Sequence, residues 1–199
     1  MIRILLTLVF VFQSISCEKQ SENNAFPNVI FRENKSLISS VIYFDKLSIA
    51  LPRGLIKIEK YDFNKLEKQF ENLDKPYFNI DVLSVYSNGN GFMFVISKLT
   101  HEEIIYDVVN NKVGPDLIEV YGQDNFNKFE FSINNNPVLQ FVGQGEKLVN
   151  YKLFVNVLNN QCFQIDYFIP INNYIKLTEA MEASISTINI RSKENKDEK

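Results

Sequence analysis

Residues 147–190 read KLVNYKLFVNVLNNQCFQIDYFIPINNYIKLTEAMEASISTINI, and the rest of the chain can be interpreted outward from them. Two mainly apolar runs flank Asn159-Asn160, a pattern that predicts a β-hairpin with a two-residue turn. Such a turn would set the register of the hairpin, because each residue then has a defined partner on the other strand. The predicted partners are Leu158 with Gln161, Phe154 with Ile165, and Leu153 with Asp166.

Both faces of this hairpin would then be mostly apolar, so we expect it in the middle of a sheet with cover on each side. A helix is predicted for residues 173–188, shortly after Pro170, and it would supply part of that cover. Its apolar side chains recur at helical intervals and are Leu177, Met181, Ile185 and Ile188.

The segments before residue 147 alternate between strand and helix patterns. Strands are predicted at residues 41–44, 47–51, 55–61, 80–86 and 92–99, and a four-stranded meander is predicted from residue 127 onward. One helix is predicted at residues 63–73. A second helix is predicted after Thr100, which forms a capping box with Glu103, and Gly114-Pro115 would end it. Residues 116–123 are compatible with a loop or a short strand.

These elements predict the α+β class, with an antiparallel sheet and helices packed on both of its faces as a three-layer α/β/α sandwich. A chain of 199 residues with 45% hydrophobic content can bury one good core, so we expect a single domain. The net charge of −3 and the scattered basic residues argue against a nucleic-acid-binding surface, which needs a concentrated basic patch.

Two segments, together with the order of the elements, resemble the PsbP/Mog1-like family. The segments are LSIALPRGLIKIE at residues 47–59 and FQIDYFIPINNYIKLTEAMEASISTI at residues 163–188. The resemblance covers most of residues 37–190 and implies an early hairpin with a Pro turn, a helix, further antiparallel strands, and a long hairpin that leads into a C-terminal helix. Leu55 stands where the family usually has an aromatic residue. The family includes photosystem-associated proteins, a nuclear-transport cofactor and bacterial lipoproteins, and fold alone transfers none of those functions.

The N-terminus has the order of parts that is typical of a secretory signal peptide. A short basic region ends at Arg3, residues 4–12 (ILLTLVFVF) are apolar, and small residues precede Cys17. The apolar run is far shorter than the roughly 20 residues that a membrane-spanning helix needs. Residues 1–16 are therefore predicted to be a signal peptide.

Around Cys17 the sequence resembles a bacterial lipobox, in which the Cys becomes the acylated first residue of the mature protein, although Ser14 stands where the family usually has Leu. Lipidation of Cys17 would attach the protein to a membrane, because two or three acyl chains hold a protein there stably. The alternatives are ordinary cleavage before a free Cys and an uncleaved anchor. Glu18 stands where lipoproteins of the inner membrane typically have Asp, and by that resemblance we expect the periplasmic face of the outer membrane.

Composition divides the chain into four parts. Residues 1–16 are the signal peptide, residues 17–36 the lipidated Cys and a polar tether, residues 37–190 a single α+β domain, and residues 191–199 a mixed-charge tail that is predicted to be disordered. Within the tether, the apolar residues 29–31 are a candidate for docking as an extra strand.

Three residues have side chains suited to acid–base or nucleophilic chemistry, but the sequence predicts no catalytic, cofactor-binding or metal-binding constellation. His101 falls in the predicted solvated first turn of a helix, and Cys162 is predicted to be a buried core thiol. Asp166 is the remaining candidate site residue, because its predicted neighbours are apolar. Its carboxylate would either have a raised pKa or a structural partner, for which Lys152 and a helix terminus are the candidates.

Two functions of different classes follow from these observations. The first is a non-catalytic periplasmic lipoprotein that is held on the membrane through lipid on Cys17 and contacts another envelope protein or supports a complex. The alternative is a carrier or binder of a small apolar ligand or lipid, which the many Phe residues would line. An enzyme that uses Asp166 ranks last.

Overall fold

The computed structural model of the chain describes residues 26–31, 33–59 and 77–191. The predicted signal peptide, Cys17, the predicted helix at residues 63–73 and residues 192–199 of the predicted tail lie outside these ranges. Every helix within the described ranges is too short or too polar to cross a lipid bilayer.

The described residues form ten strands and three α-helices. The strands are β1 (Ile38–Phe44), β2 (Leu47–Pro52), β3 (Ile56–Lys57), β4 (Asn79–Ser87), β5 (Met93–Thr100), β6 (Phe126–Ile133), β7 (Asn136–Gln144), β8 (Leu148–Val155), β9 (Gln161–Pro170) and β10 (Asn189–Ile190). The helices are α1 (Ile105–Val108), α2 (Gly114–Tyr121) and α3 (Tyr174–Ile185), and a π-helical turn (Val109–Val113) joins α1 to α2.

Seven of these strands form one antiparallel sheet in the order β3-β4-β5-β9-β8-β7-β6. The other three form a small antiparallel sheet in the order β1-β2-β10. The predicted meander is confirmed as β6 to β9, and β9 lies at the centre of the large sheet, as expected for a strand with cover on each side. The β6–β7 turn consists of Asn134 and Asn135, whose φ angles of 49° and 63° suit a tight hairpin.

The β8–β9 hairpin is paired one residue away from the predicted register. The observed partners are Lys152 with Asp166, Leu153 with Ile165, and Phe154 with Gln164. The predicted two-residue turn is wrong, because residues 156–160 all belong to the connection between the strands. A shift of one residue exchanges the two faces of a strand. Phe154, which the predicted register sets beside Ile165, therefore lies on the opposite face of the sheet from Ile165.

Tertiary contacts hold the β8–β9 connection in its observed shape. Asn156 adopts a left-handed φ of 67°, and its N–H donates to Pro137 O at the start of β7. The other side of the connection receives hydrogen bonds from the first turn of α1, where Ile105 N–H donates to Asn159 O and Tyr106 N–H donates to Val157 O. The connection is therefore fitted to β7 and α1 as well as to its own strands.

The first face of the large sheet, which carries Leu153 and Ile165, packs against the small sheet and α3. The shared core includes Leu47, Ile49 and Leu51 of β2 and Met181 and Ile185 of α3. Tyr167 on β9 also links these layers through polar atoms, since its hydroxyl lies 2.9 Å from Ser184 Oγ on α3. Ser184 Oγ in turn donates to Ala50 O over 2.5 Å.

The second face, which carries Phe154, packs against the helical segment from α1 to α2. The helical side chains in this core are Ile105, Val109, Val113 and Leu117, and the sheet contributes Leu139, Phe141, Phe154 and Cys162. Cys162 is therefore the core thiol that the sequence predicts, and burial raises the pKa of its thiol.

The helical segment after β5 differs from its prediction at both ends. Thr100 is the last residue of β5 and caps no helix, while α1 begins at Ile105 without a side-chain cap. The predicted stop at Gly114-Pro115 is also wrong, because the chain continues helically to Tyr121. Pro115 is tolerated there because it occupies the first turn of α2, where its missing N–H removes little.

Part of the predicted tether packs onto the domain. Phe26 is buried in the second-face core, and Val29 N–H donates to Ser132 O on β6. The ring of Phe31 meets Phe131 edge-on at a centroid distance of 5.6 Å. Phe26 and Phe31 are covered by the domain, whereas Ile30 stays 90% exposed, so packing begins before the predicted boundary at residue 37. The segment docks through an isolated bridge at Asn28, whereas the extra strand predicted for residues 29–31 is absent from the described residues.

The α+β class and the large antiparallel sheet are confirmed. The first face of the large sheet is covered by the small sheet together with α3, and not by a helix alone. The three-layer α/β/α description therefore stays a prediction. Within the described ranges, the strand predicted at residues 55–61 is shorter than expected and comprises Ile56–Lys57.

Candidate functional site: a buried polar quartet

Four polar side chains lie together on the second face of the large sheet. They are Asn150 and Lys152 on β8 and Gln164 and Asp166 on β9, and we call them the polar quartet. They share one face because every second residue of a strand points the same way and the observed register sets Lys152 across from Asp166. All four are buried, with only 4% of Lys152 and 2% of Asp166 exposed.

The carboxylate of Asp166 is the centre of the quartet. Lys152 Nζ lies 3.1 Å from its Oδ1 atom, and Asn150 Nδ2 donates to the same oxygen over 3.4 Å. Gln164 Nε2 donates to Oδ2 over 2.7 Å. Both carboxylate oxygens thus receive donors, as a buried carboxylate requires. The pairing with Lys152 that the sequence suggested is present.

Burial of this ion pair both costs free energy, through desolvation, and contributes free energy, through the attraction between the two charges. Removal of a charge from water costs several kcal/mol per ion, and the mutual attraction offsets that cost only where the geometry is good and further hydrogen bonds are made. The quartet meets both conditions. It also discriminates between registers, because a shift by one residue would place Asp166 opposite Leu153 and separate the carboxylate from Lys152.

The geometry suits the quartet to a structural role. The Asp166 carboxylate already interacts with one ammonium group and two amide groups. At 2% exposure a substrate cannot reach it in this conformation, and a general base must lie within hydrogen-bond reach of the proton that it takes. The carboxylate therefore acts as a link between β8 and β9.

The other two residues considered for chemistry lie apart from the quartet. His101 follows Thr100, which pairs with Gln161, whereas Asp166 pairs with Val95, about 17 Å away along β5 at 3.4 Å per residue. His101 Nδ1 accepts a hydrogen bond from Glu103 N–H over 3.0 Å.

Cys162 is fully buried opposite Leu99 on β5. Burial raises the pKa of its thiol, which disfavours the thiolate form that nucleophilic attack needs. The structure therefore brings none of the three candidate residues together.

A second and more exposed polar group joins α1 to the edge strand β6. Tyr106 donates its hydroxyl hydrogen to Glu130 Oε1 over 3.0 Å, and Lys128 Nζ lies 2.6 Å from the same oxygen. Burial alone would raise the pKa of the Glu130 carboxyl, but the hydrogen bonds from Lys128 and Tyr106 outweigh it and lower that pKa. Burial and the neighbouring Glu130 carboxylate raise the pKa of the Tyr106 phenol. This group helps to fix the helical segment on the sheet.

Three surface depressions lined by described residues are open to solvent. Their volumes are about 270 Å³ beside Ser84, about 450 Å³ between Phe78 and His101, and about 330 Å³ beside Tyr121. A carrier of an apolar ligand would enclose most of its ligand, which these depressions do not. The ligand-carrier alternative stays a prediction. Among the described residues, no three His, Cys, Asp or Glu side chains gather in the way that a metal site needs.

Sequence reasoning found Asp166 and Lys152 but missed Asn150 and Gln164. Both strands carry a polar residue at every second position here, as Asn-x-Lys on β8 and Gln-x-Asp on β9. That alternation was the available signal. It predicts a shared polar group only when Lys152 and Asp166 are set opposite each other, and the turn assumed from Asn159-Asn160 shifted the pairing by one residue.

No protein-family model matches the chain. No curated protein matches it either.

Solved structures that are similar to the chain cover most of its length at low identity. One, a protein from Bacteroides thetaiotaomicron, is 16% identical over 74% of this chain with a TM-score of 0.37. This chain spans 46% of that protein.

Two further structures match nearly over their full lengths. A cyanobacterial PsbP from Synechocystis sp. PCC 6803 is 8% identical over 85% of this chain and 96% of its own, with a TM-score of 0.46. LpqN of Mycobacterium tuberculosis, described as involved in cell envelope biogenesis, is 11% identical over 83% of this chain and 99% of its own, with a TM-score of 0.42. The solved structures that are similar to this chain thus include a PsbP, the family that its sequence resembles.

Proposed function

We propose that this protein is a lipid-anchored, non-catalytic module of a bacterial cell envelope that binds another envelope protein. Its anchor is lipid on Cys17, and its location is the periplasmic face of the outer membrane, as Glu18 suggests. The observation that carries the non-catalytic part is the state of Asp166, whose carboxylate is buried and engaged by Lys152, Asn150 and Gln164.

The length of chain between Cys17 and the packed domain supports a close attachment to the membrane. Residues 18–25 separate Cys17 from Phe26, which is buried against the domain. Even fully extended, that length of chain spans at most roughly 30 Å. The domain would therefore stay near the lipid surface, where a partner in the same membrane or its adjoining layer is at high local concentration.

Metabolic labelling with a palmitate analogue, followed by membrane fractionation, tests the anchor. We expect label and membrane association in the wild-type chain, and neither in Cys17→Ser. The matched control is Cys162→Ala, which removes the chain's other thiol and should keep both label and membrane association. Labelled Cys17→Ser protein in the membrane fraction would refute the anchor.

In vivo cross-linking of the full-length chain, followed by mass spectrometry, tests the binding part of the proposal. The expected result is one discrete envelope protein that is recovered from independent cultures. Recovery of no discrete product under several growth conditions would refute a protein-binding role.

A further inference from the structure

The outer edge of β1 is an unpaired sheet edge in the described part of the molecule. β1 lies at the end of the small sheet, and β2 pairs with it along one side only. The side chains of Val41 and Tyr43 point to the outer face of this sheet and are 45% and 63% exposed. An edge strand with exposed apolar side chains is the form of surface that receives another strand.

The direction of the backbone groups follows from the pairing of β2. Ser48 of β2 pairs with β10, and Ala50 N–H donates to Thr187 Oγ1, so these residues turn their backbone groups away from β1. Their partners across the hairpin are Tyr43 and Val41. In an antiparallel pair, two residues opposite each other either both direct their N–H and C=O groups toward each other or both direct them away. Tyr43 and Val41 therefore direct theirs to the open edge.

The devices that protect sheet edges are unevenly distributed between β1 and β6. β6 carries Lys128 and Glu130, and the segment around Asn28 bridges to its edge. β1 reads ISSVIYF, with no charged residue and no Pro. The pairing register of β1 with β2 shifts between Ile38 and Val41, so the first half of β1 is irregular. The regular open edge therefore extends over about four residues from Val41.

Basic side chains flank both ends of this edge. At the first end the Arg53 guanidinium donates to Ile38 O over 3.4 Å. At the other end Arg191 stacks its guanidinium over the Tyr43 ring at 5.4 Å, and Lys46 lies in the β1–β2 turn. An extended peptide with acidic residues beside a short apolar run would complement this arrangement.

A second copy of the chain fits the edge less well. Antiparallel pairing of two β1 strands about a two-fold axis would set the Arg53 end of one copy beside the Arg191 end of the other, so that like charges meet. Asp45, an acidic residue in the β1–β2 turn at the Arg191 end, already lies 3.9 Å from Lys98. The charges therefore favour a partner of different sequence.

We propose that the outer edge of β1 receives an extended, acid-flanked segment of the envelope partner as an added strand. Backbone hydrogen bonds to Val41 and Tyr43 hold the segment, and Arg53 and Arg191 meet its acidic residues. This mode of recognition takes affinity from the main chain and specificity from alternate side chains. The inference rests on the proposed function, because it locates the surface where that partner binds.

Site-specific photo-crosslinking of the full-length chain in cells tests the location. The photoreactive residue replaces Tyr43, and the matched control position is Phe129, which is 49% exposed on the edge strand β6. We expect a discrete cross-linked product from position 43 and none from position 129. Mass spectrometry should map the cross-link to a segment of the partner with acidic residues beside alternating apolar ones.

Two variants show whether the edge itself is used. Val41→Pro removes an outward N–H. Tyr43→Glu, cross-linked from the neighbouring position Ser39, places on the edge a negative charge that repels an acid-flanked segment. Each should lower the cross-link yield by roughly tenfold while membrane association is unchanged. If Val41→Pro fails to fold, Tyr43→Glu still decides, because the side chain at position 43 is exposed.

The outcomes separate the two proposals. A product from position 129 with the same partner and none from position 43 overturns the β1 site and leaves the proposed function standing. A product of twice the mass of this chain overturns the choice of partner. Unchanged yield in both variants overturns the role of the edge, and the absence of any product at every exposed position refutes the proposed function and this inference together.

Discussion

Breaking the buried pair between Lys152 and Asp166 should cost far more stability than breaking an exposed pair. In Lys152→Met the carboxylate of Asp166 loses the ammonium group 3.1 Å away and stays buried. With an effective dielectric constant of about 20, the lost attraction is about 5 kcal/mol. Asn150 and Gln164 still donate to the carboxylate and offset part of that loss, so we expect a destabilisation of about 3 kcal/mol.

A double-mutant cycle isolates the pair itself. Asp166→Asn removes the charge and keeps one acceptor oxygen, which can serve either Asn150 or Gln164. It also leaves the Lys152 ammonium without its carboxylate. The double variant Lys152→Met with Asp166→Asn buries no charge at this site. It should be less destabilised than the sum of the single variants, with a coupling energy of about 2 kcal/mol.

The assay is urea unfolding of the chain carrying Cys17→Ser. Unfolding is monitored by far-UV circular dichroism, because the chain has no Trp for fluorescence detection. The matched control is the cycle on Lys98 and Asp45, which lie 3.9 Å apart, with Asp45 exposed and Lys98 partly exposed. That pair should show a coupling energy below about 1 kcal/mol. A coupling energy at Lys152 and Asp166 no larger than at the control pair would refute the structural role of the quartet.

Two further predictions concern packing and alkaline pH. Gly143→Ala would place a Cβ atom 2.4 Å from the Tyr121 ring, so α2 or the ring must move. We expect a loss of about 1–3 kcal/mol in urea unfolding, against little change for Gly145→Ala, where the nearest atom is 3.6 Å away. Burial raises the pKa of Tyr167 and of Cys162 above their ordinary values of 10.0 and 9.0. As the pH rises, the unfolded chain therefore releases these protons before the folded chain does. Stability that is present below about pH 9 should fall by about 2.7 kcal/mol per pH unit above about pH 10. Urea midpoints that stayed constant across that range would contradict this expectation.

The sequence by itself determined most of the elements, because the signals for them are local. Asn134-Asn135-Asn136 predicted a turn within the meander, and Asn134 and Asn135 adopt the left-handed backbone of a tight hairpin, with Asn136 already paired in β7. The strands predicted at residues 41–44 and 47–51 leave Asp45-Lys46 as a two-residue turn, and that turn is present because Phe44 pairs with Leu47. Helical spacing of apolar residues predicted α3 and the face by which it packs. Each of these signals depends on neighbours within a few positions along the chain.

The tertiary structure decided what depends on distant partners. Thr100 and Glu103 form a valid capping box in isolation, but pairing of Thr100 with Gln161 on β9 extends β5 instead. Gly114-Pro115 would end an isolated helix, yet packing of the flanking Val113 and Leu117 on the sheet carries the helical segment through it.

The register of the β8–β9 hairpin follows the same rule. Asn159-Asn160 looks like a sufficient turn, but hydrogen bonds from Asn156 to Pro137 and from Ile105 to Asn159 enlarge the connection. The slip of one residue is what brings the side chains of the polar quartet together. Local sequence sets which backbone conformations are cheap, whereas burial of apolar surface and pairing of buried charges select among them, and those terms exist only once the strands and helices are in contact.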